Sequence, residues 1–473
     1  MTNYEMTVGL EVHIELNTKS KMFCSCPVQF GGEPNSRICP VCTGLPGTLP
    51  RINKRAIEFA IKAGLATNCK ISHKSEMARK NYYYPDLPKA FQISQKDPPL
   101  CFDGSIKINT KKGEKTIRIS RIHIEEDAGK LIHDNEQNTL IDYNRCGTPL
   151  IEIVSAPDIA SGDEAKAYLK ALRTRILYTD ISDCKMNEGS MRCDVNVSVK
   201  EKGSDKLGER VEIKNINSIA FVGKAIDAEF ERMVNLLKNG EKIERETRRY
   251  NAQSGKTEPM RSKEDIADYR FFTEPDILPI YVSEDLIEKM NSELPMMPEE
   301  KIQRYINELE LSEYDASLLS SDKSLSNAYD NAAELTSHKK VLANLMLGEI
   351  LRLCESEDFF CPISAKNLAE LADLIGEGKI SHTTAKKMIG RIWESDASPD
   401  EIAQKENLYQ INDKDFLTEL VKDAIKANQR SIDDYKKGKK NALKAVMGYI
   451  MAKTKGLANP QIAESILLEF AEK

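Results

Sequence analysis

Apolar and polar residues alternate with a two-residue period through Met6–Leu16, Lys115–Glu126, Pro149–Ser155, Arg192–Val199 and Arg210–Ile216, which predicts strands there. Helical spacing of apolar positions interrupts them at Asn53–Ala66, Asp163–Leu177 and Ile219–Asn239. This mixture predicts an α+β unit over residues 1–294, built on a mainly antiparallel sheet. Pro295 and Pro298 then flank two methionines, and the pattern changes. Residues 295–406 hold only amphipathic helical segments, such as His338–Ser356 and Lys366–Leu374, and predict an all-α domain. Residues 407–473 read as a small α-helical tail domain that ends in the helix Pro460–Ala471. Leu309–Asn331, rich in Ser, Asp and Asn, reads as a mobile loop.

Side chains alternate faces along a strand, so the same pattern sorts the polar residues. In the first strand Val8, Leu10, Val12, Ile14 and Leu16 share one face, and Glu11, His13 and Glu15 share the other. His123 and Glu125 alternate with Ile122 and Ile124. Arg192, Asp194 and Asn196 oppose Val195, Val197 and Val199, and Arg210, Glu212 and Lys214 share a face. A half-buried sheet with its polar face in water explains much of this. Glu152 fits that explanation poorly, because Leu150, Ile151, Ile153 and Val154 surround it. A buried carboxylate needs a cationic partner or a metal. The run Glu125–Glu126–Asp127 makes the same demand by self-repulsion. An ion-pair network and a Mg²⁺ site both satisfy it. His13 and the repetition of acids over five strands favour Mg²⁺, which prefers oxygen ligands and accompanies phosphates.

The chain has 473 residues, 40% hydrophobic and 30% charged, with a net charge of -6. That supports real cores and excludes wholesale disorder. No apolar run is long enough to span a membrane, and Met1–Val8 lacks the apolar core of an export signal. With 11 cysteines and no such signal, a disulfide framework is not expected, and a cytoplasmic location is. Four cysteines cluster: Cys24-x-Cys26, twelve residues, then Cys39-x-x-Cys42. They offer four thiolates to a tetrahedral Zn²⁺, with Pro40, Gly44 and Gly47 suiting the turn. Four free thiols is the alternative.

Phosphate handling has no P-loop and no G-x-G-x-x-G behind it. The segment Arg79–Asp86 offers two cations, an amide and three phenols, either a nucleotide-holding loop or an ordinary Tyr-rich turn. Between Arg430 and Lys455, eight Lys/Arg and two Asp leave a local charge of +6. This is either a phosphate-backbone contact or a solvated lysine face.

Several motifs resemble one family. They are Gly9–His13 (GLEVH), Arg79–Asp86 (RKNYYYPD), Gln92–Gln95 (QISQ), Glu125–Lys130 (EEDAGK) and Asn144–Val154 (NRCGTPLIEIV). Glu188–Asn196 (EGSMRCDVN), Glu212–Ser218 (EIKNINS) and Glu274–Pro279 (EPDILP) continue the series. Together they resemble the B subunits of bacterial tRNA-dependent amidotransferases, from end to end. The resemblance implies a catalytic cradle domain, a helical domain and a tail that holds tRNA. It implies ATP-dependent phosphorylation of the side-chain carboxyl of Glu-tRNA(Gln) or Asp-tRNA(Asn). Ammonia from a glutaminase A subunit then displaces phosphate, and a small C subunit clamps the complex. It assigns Glu11, His13, Glu125, Glu126 and Glu152 to the metal–phosphate centre, with His13, Glu125 and Glu152 as Mg²⁺ ligands. Arg79, Lys80, Tyr82 and Asp194 would contact nucleotide or substrate, and Cys24, Cys26, Cys39 and Cys42 would hold zinc. A non-catalytic tRNA-binding subunit and a stand-alone metal-dependent ligase are the rival functions. Buried Glu152 counts against the first, and the basic tail against the second.

Overall fold

Strand β1 (Tyr4–Glu15) is the axis of the first unit. Val8, Leu10, Val12 and Ile14 are fully buried on one face, while Glu11, His13 and Glu15 are half-buried on the other. The computed structural model describes residues 3–95, 97–133, 138–204, 206–262, 268–354 and 359–471. In chain order the further strands of the first unit are β2 (Lys70–Ile71), β3 (Lys74–Ser75), β4 (Met77–Asn81), β5 (Phe91–Gln95), β6 (Cys101–Thr110), β7 (Gly113–Glu126), β8 (Lys130–His133) and β9 (Thr139–Asp142). Then come β10 (Pro149–Ser155), β11 (Met191–Glu201), β12 (Arg210–Ile216), β13 (Glu246–Asn251), β14 (Lys256–Ser262), β15 (Phe272–Thr273) and β16 (Ile280–Tyr281).

Nine strands form one sheet in the order β14-β13-β12-β11-β1-β10-β7-β6-β2. Its neighbours run antiparallel except for the parallel pair β12–β13. The short strands β15-β4-β5 form a second sheet. Gln95 Oε1 accepts from the Ile124 N–H (2.9 Å) and ties this sheet to the end of β7.

Helices α1 (Lys54–Ala66), α2 (Gly162–Tyr178) and α3 (Ile219–Lys238) cover the apolar face of the large sheet, and α4 (Glu284–Ser292) closes the unit. Asn53, Ser161 and Ser218 cap the first three by accepting backbone N–H bonds. Phe59, Leu169, Leu172, Val222 and Ile226 share one core with the even-numbered residues of β1. Helices on one face leave the other for chemistry.

The chain divides into two compact units, Met1–Met297 and Pro298–Lys473. The second is helical: α5 (Pro298–Asn307), α6 (Glu313–Leu319), α7 (Lys323–Ala333), α8 (Lys339–Leu345), a π turn at Met346–Ile350, α9 (Leu351–Leu353), α10 (Ala365–Gly376), α11 (His382–Ser395) and α12 (Pro399–Lys405). It continues with α13 (Lys414–Ala427), α14 (Gln429–Lys436), α15 (Leu443–Lys453) and α16 (Pro460–Ala471). Its buried residues fall into two clusters, Tyr305 to Ala403 and Leu417 to Ala471.

The mobile loop expected at Leu309–Asn331 is a correction: α6 and most of α7 lie there. Ser312 and Asp322, which suggested a loop, are N-caps whose side chains accept from Asp315 and Leu325 N–H groups. The segment His338–Ser356 is helical only to Leu353 and is interrupted by the π turn; its last two residues lie outside the described ones. Among the described residues no helix is long and apolar enough to cross a membrane.

Candidate active site

The pairing registers place Glu11 beside Asp194 and His13 between Arg192 and Glu152. They also place Glu152 beside His123, and Leu150 beside Glu125. The acids predicted strand by strand therefore share one surface. At its centre His13 Nε2 lies 3.3 Å from Glu125 Oε1 and 3.5 Å from Glu152 Oε2. His123 Nε2 approaches the same Glu152 oxygen at 3.2 Å. Glu125 is 4% exposed and His13 21%, so the cluster is shielded from below and opens towards solvent through the imidazole.

Charge balance follows from that geometry. Burial opposes a charge on His13, but the Glu125 and Glu152 carboxylates outweigh it and push its pKa up to about 10. Burial would raise Glu152, yet His123 and His13 hold it well below the usual carboxylate range. Glu152 is thus paired with two histidines, His13 and His123, where the sequence asks for a cationic partner or a metal. Burial first, and then the negative Glu152, raise Glu11. Asn196 Nδ2 donates to Glu11 Oε1 (2.9 Å). Asp194 is held by Lys214 Nζ at 2.7 Å.

One ligand atom from each of His13, Glu125 and Glu152 lies within 4.8 Å of the other two. Two carboxylates and an imidazole that converge in this way would hold a divalent cation, provided His13 gives up its proton. Three protein ligands leave positions open for water or phosphate oxygens, as a reactive site requires.

The remaining sequence-predicted residues divide. Glu126 neighbours Glu125 in the chain and therefore faces the other way. It pairs with Lys89 and accepts from the Ile93 N–H (3.0 Å). Glu126, Lys89, Arg79, Glu274, Cys24 and Cys42 line a cavity of about 210 Å³. Arg79 forms a two-pronged pair with fully buried Glu274, at 2.7 and 2.9 Å, and its guanidinium lies 4.3 Å from the Phe91 ring centre. Lys80 sits 5.0 Å from the Tyr269 ring centre and 5.7 Å from that of Tyr82. Burial, then nearby Glu125, push the Tyr82 phenol up.

Cys24, Cys26, Cys39 and Cys42 bring their sulfurs within 4.8 Å of one another. Sulfurs ~2.3 Å from a tetrahedral zinc lie about 3.8 Å apart, so the four fit one such ion. The Cys39 N–H donates to Cys42 Sγ (3.2 Å), as does buried Lys21 Nζ (3.6 Å). These donors, with the Cys24 thiol ahead of them, hold Cys42 down, while burial pushes Cys26 up to about 11. Gly44, at φ +68°, allows the turn, and a Cβ there would strike Lys89 Cγ at 2.6 Å.

Sequence reasoning missed His123, although its parity with Glu125 was visible. It also missed the network around Asp127, which pairs with Arg192 and lies 3.6 Å from Arg145 Nε. Burial and then Asp127 push Glu15, beside it, up to about 8.

Two family models match the chain: the GatB/GatE catalytic domain over residues 6–288 and the GatB domain over residues 327–470. The chain belongs to the GatB family. It is similar to the B subunit of the aspartyl/glutamyl-tRNA(Asn/Gln) amidotransferase of Caldicellulosiruptor saccharolyticus, 48% identical over 99% of both chains. The corresponding B subunits of Thermoanaerobacter pseudethanolicus (47%, 99% of this chain and 100% of the relative) and Agathobacter rectalis (45%, 99% and 100%) are further relatives. The chain is thus an amidotransferase subunit of the GatB family. Both ligand clusters fall within the part that matches the catalytic domain.

Proposed function

We propose that this subunit phosphorylates the side-chain carboxyl of Glu-tRNA(Gln) or Asp-tRNA(Asn) at the expense of ATP and completes its amidation. Convergence of His13, Glu125 and Glu152 within a full-length family match carries the reading. A carboxylate lacks a good leaving group, and phosphate supplies one. Phosphoryl transfer needs cations and positioning more than covalent chemistry. His13, Glu125 and Glu152 would hold Mg²⁺, which neutralises phosphate charge. Glu11 and Asp194 border that centre. Arg79, Lys80, Tyr82 and Glu126 would meet nucleotide or the acylated tRNA end. Zn²⁺ on the four cysteines would be structural, since four protein ligands leave no open position.

In this reading residues 1–294 form the catalytic cradle, 295–406 a helical domain and 407–473 a tail that contacts tRNA. Arg430, Lys436, Lys437, Lys439, Lys444, Lys453 and Lys455 are all exposed, as a phosphate-backbone contact needs. A glutaminase A subunit would supply ammonia, a small C subunit would join the two, and the complex would work in the cytoplasm. The test is ATP hydrolysis by the assembled complex with and without misacylated tRNA. Stimulation by Glu-tRNA(Gln) or Asp-tRNA(Asn) supports the reading. Hydrolysis indifferent to tRNA, or none, refutes it.

A further inference from the structure

Strand β4 is tied to a segment far along the chain. Asn81, its last residue, donates from its backbone N–H to the Tyr269 carbonyl (2.9 Å) and from Nδ2 to the Arg270 carbonyl (2.9 Å). The Arg270 N–H donates to Asp268 Oδ1 (3.0 Å). Held on both sides, Arg270 has φ +45°, a left-handed conformation that glycine adopts freely and a longer side chain does not. Such strain persists only where the surroundings over-determine it, and it gathers at segments that clamp ligands.

The strained turn carries two exposed rings. Tyr269 and Phe271 flank Arg270, 37% and 47% exposed, with ring centres 6.1 Å apart and planes at 78°. Tyr82 meets Tyr269 edge-on at 5.9 Å. The Lys80 ammonium lies over both tyrosine rings. Arg270 is exposed, and among the described residues its guanidinium has no ionic partner. Three rings that carry two cations suit a ligand with flat faces and negative charge. Unpaired nucleotides have both, stacking on aromatic rings while cations meet their phosphates.

The place of the rings fits the reaction. The small sheet leans on the acid face, where Ser94 Oγ donates to Glu125 Oε2 (3.4 Å). Ser94 pairs with Ala78, and Gln92 with Lys80, so Lys80 lies on the face of the small sheet that carries Ser94. From Ala78 to Lys80 is about 7 Å, roughly the length of an aminoacyl ester. A base stacked on the rings leaves the esterified side chain to reach back towards Glu125.

We infer that Tyr82, Tyr269 and Phe271 stack the unpaired terminal base of the acylated tRNA, with Arg270 on a neighbouring phosphate and Asn81 as the positioning residue that holds the turn. This rests on the proposed tRNA-dependent reaction.

The test is equilibrium binding of two unacylated RNA hairpins to the assembled complex, one ending in CCA and one with an abasic last residue. Wild type should prefer the first about tenfold or more, as stacking of one base gives. The double variant Tyr269→Ala/Phe271→Ala should erase most of that preference. Arg270 separates conformation from charge. Arg270→Gly accepts the positive φ without a cation, so it should keep the preference, weaken both hairpins alike and lower their salt slope by ~0.7. Arg270→Val, whose branched side chain resists positive φ, should lose the preference as well. If its melting curve shows that Arg270→Val does not fold, Asn81→Ala, which releases the turn, replaces it with the same expectation. Equal affinity of wild type for the two hairpins, or binding of neither, overturns the stack. So does a preference that survives the double alanine variant. A double variant that sheds the proposed glutaminase subunit on gel filtration and keeps the preference also overturns it, and gives the rings to that subunit. ATP hydrolysis with full-length misacylated tRNA, measured alongside, separates the two readings. Stimulation of wild type beside equal hairpin affinity removes the stack alone, and no stimulation removes the tRNA-dependent reaction and the stack with it.

Discussion

The four cysteines and the His13–Glu125–Glu152 cluster each bring ligand atoms within 4.8 Å of one another, by opposite routes. The cysteines lie within residues 24–42, and local turns gather them. The Cys39 N–H bond to Cys42 Sγ and the Thr43 N–H bond to the Cys39 carbonyl (3.1 Å) shape the turn that presents Cys39 and Cys42. His13, Glu125 and Glu152 come from β1, β7 and β10 and meet only because the registers of a nine-stranded sheet align them. The knuckle closes four ligands around one point, and the acid face offers three and stays open on one side. A closed set stabilises a fold, and an open one handles substrate.

Breaking the knuckle should give the largest effect. Cys39→Ser should abolish stoichiometric zinc in purified protein and expose residues 24–48 to protease, while the acid-face residues keep their Mg²⁺ affinity. Metal analysis beside limited proteolysis checks both. Wild type without zinc, its thiols fully reduced, contradicts the assignment.

The acid face should respond in rate rather than in fold. Glu125→Gln and Glu152→Gln preserve shape and remove charge. Each should lower tRNA-dependent ATP hydrolysis by ~10²-fold or more, as loss of a preorganised electrostatic group does. An ion-pair scaffold predicts lower melting temperatures with normal turnover in the folded fraction.

His13 sharpens the contrast through pH. Its pKa, raised to about 10, means that a cation displaces a proton from Nε2 at neutral pH. Metal affinity should therefore rise about tenfold per pH unit below about 10 and level off above it. Calorimetry with Mg²⁺ in buffers of different ionisation enthalpy reads the released proton. A flat profile between pH 7 and 9 would remove His13 from the ligand set.

The smallest effect is expected from the tail. Removal of residues 407–473 should raise the KM for tRNA and lower its salt dependence by ~0.7–0.9 for each phosphate no longer bound. Glutamine hydrolysis by the proposed glutaminase subunit should persist without tRNA. Unchanged tRNA affinity defeats the assignment.

What the sequence made legible follows the same division. The cysteine set was readable as a set, because its spacing is local. On the acid face only parity was readable: Glu11, His13 and Glu15 on one side of β1, and Glu125 with His123 on β7. Parity also implied that Glu126 points away from Glu125, yet the family resemblance assigned both to one centre. Glu126 in fact faces Lys89. Arg79 looked like a free cation for phosphate, and its partner Glu274 is 195 positions away. No local pattern announces such a pair. Short strands such as β4, β15 and β16 have too few residues to show a period. The loop expected over Leu309–Asn331 failed because Ser and Asp serve both turns and helix caps. Buried Leu325 and Tyr329 were the contrary signal, at i and i+4 behind a capping Asp322.

The central claim is that His13, Glu125 and Glu152 carry phosphoryl transfer. It is tested most directly by following labelled γ-phosphate from ATP to Glu-tRNA in the assembled complex, with folded protein and glutaminase activity measured alongside. Glu125→Gln and Glu152→Gln should each form acyl phosphate ~10²-fold more slowly, with glutaminase intact. Transfer at the wild-type rate in both variants would contradict the claim and leave the acid face as scaffold.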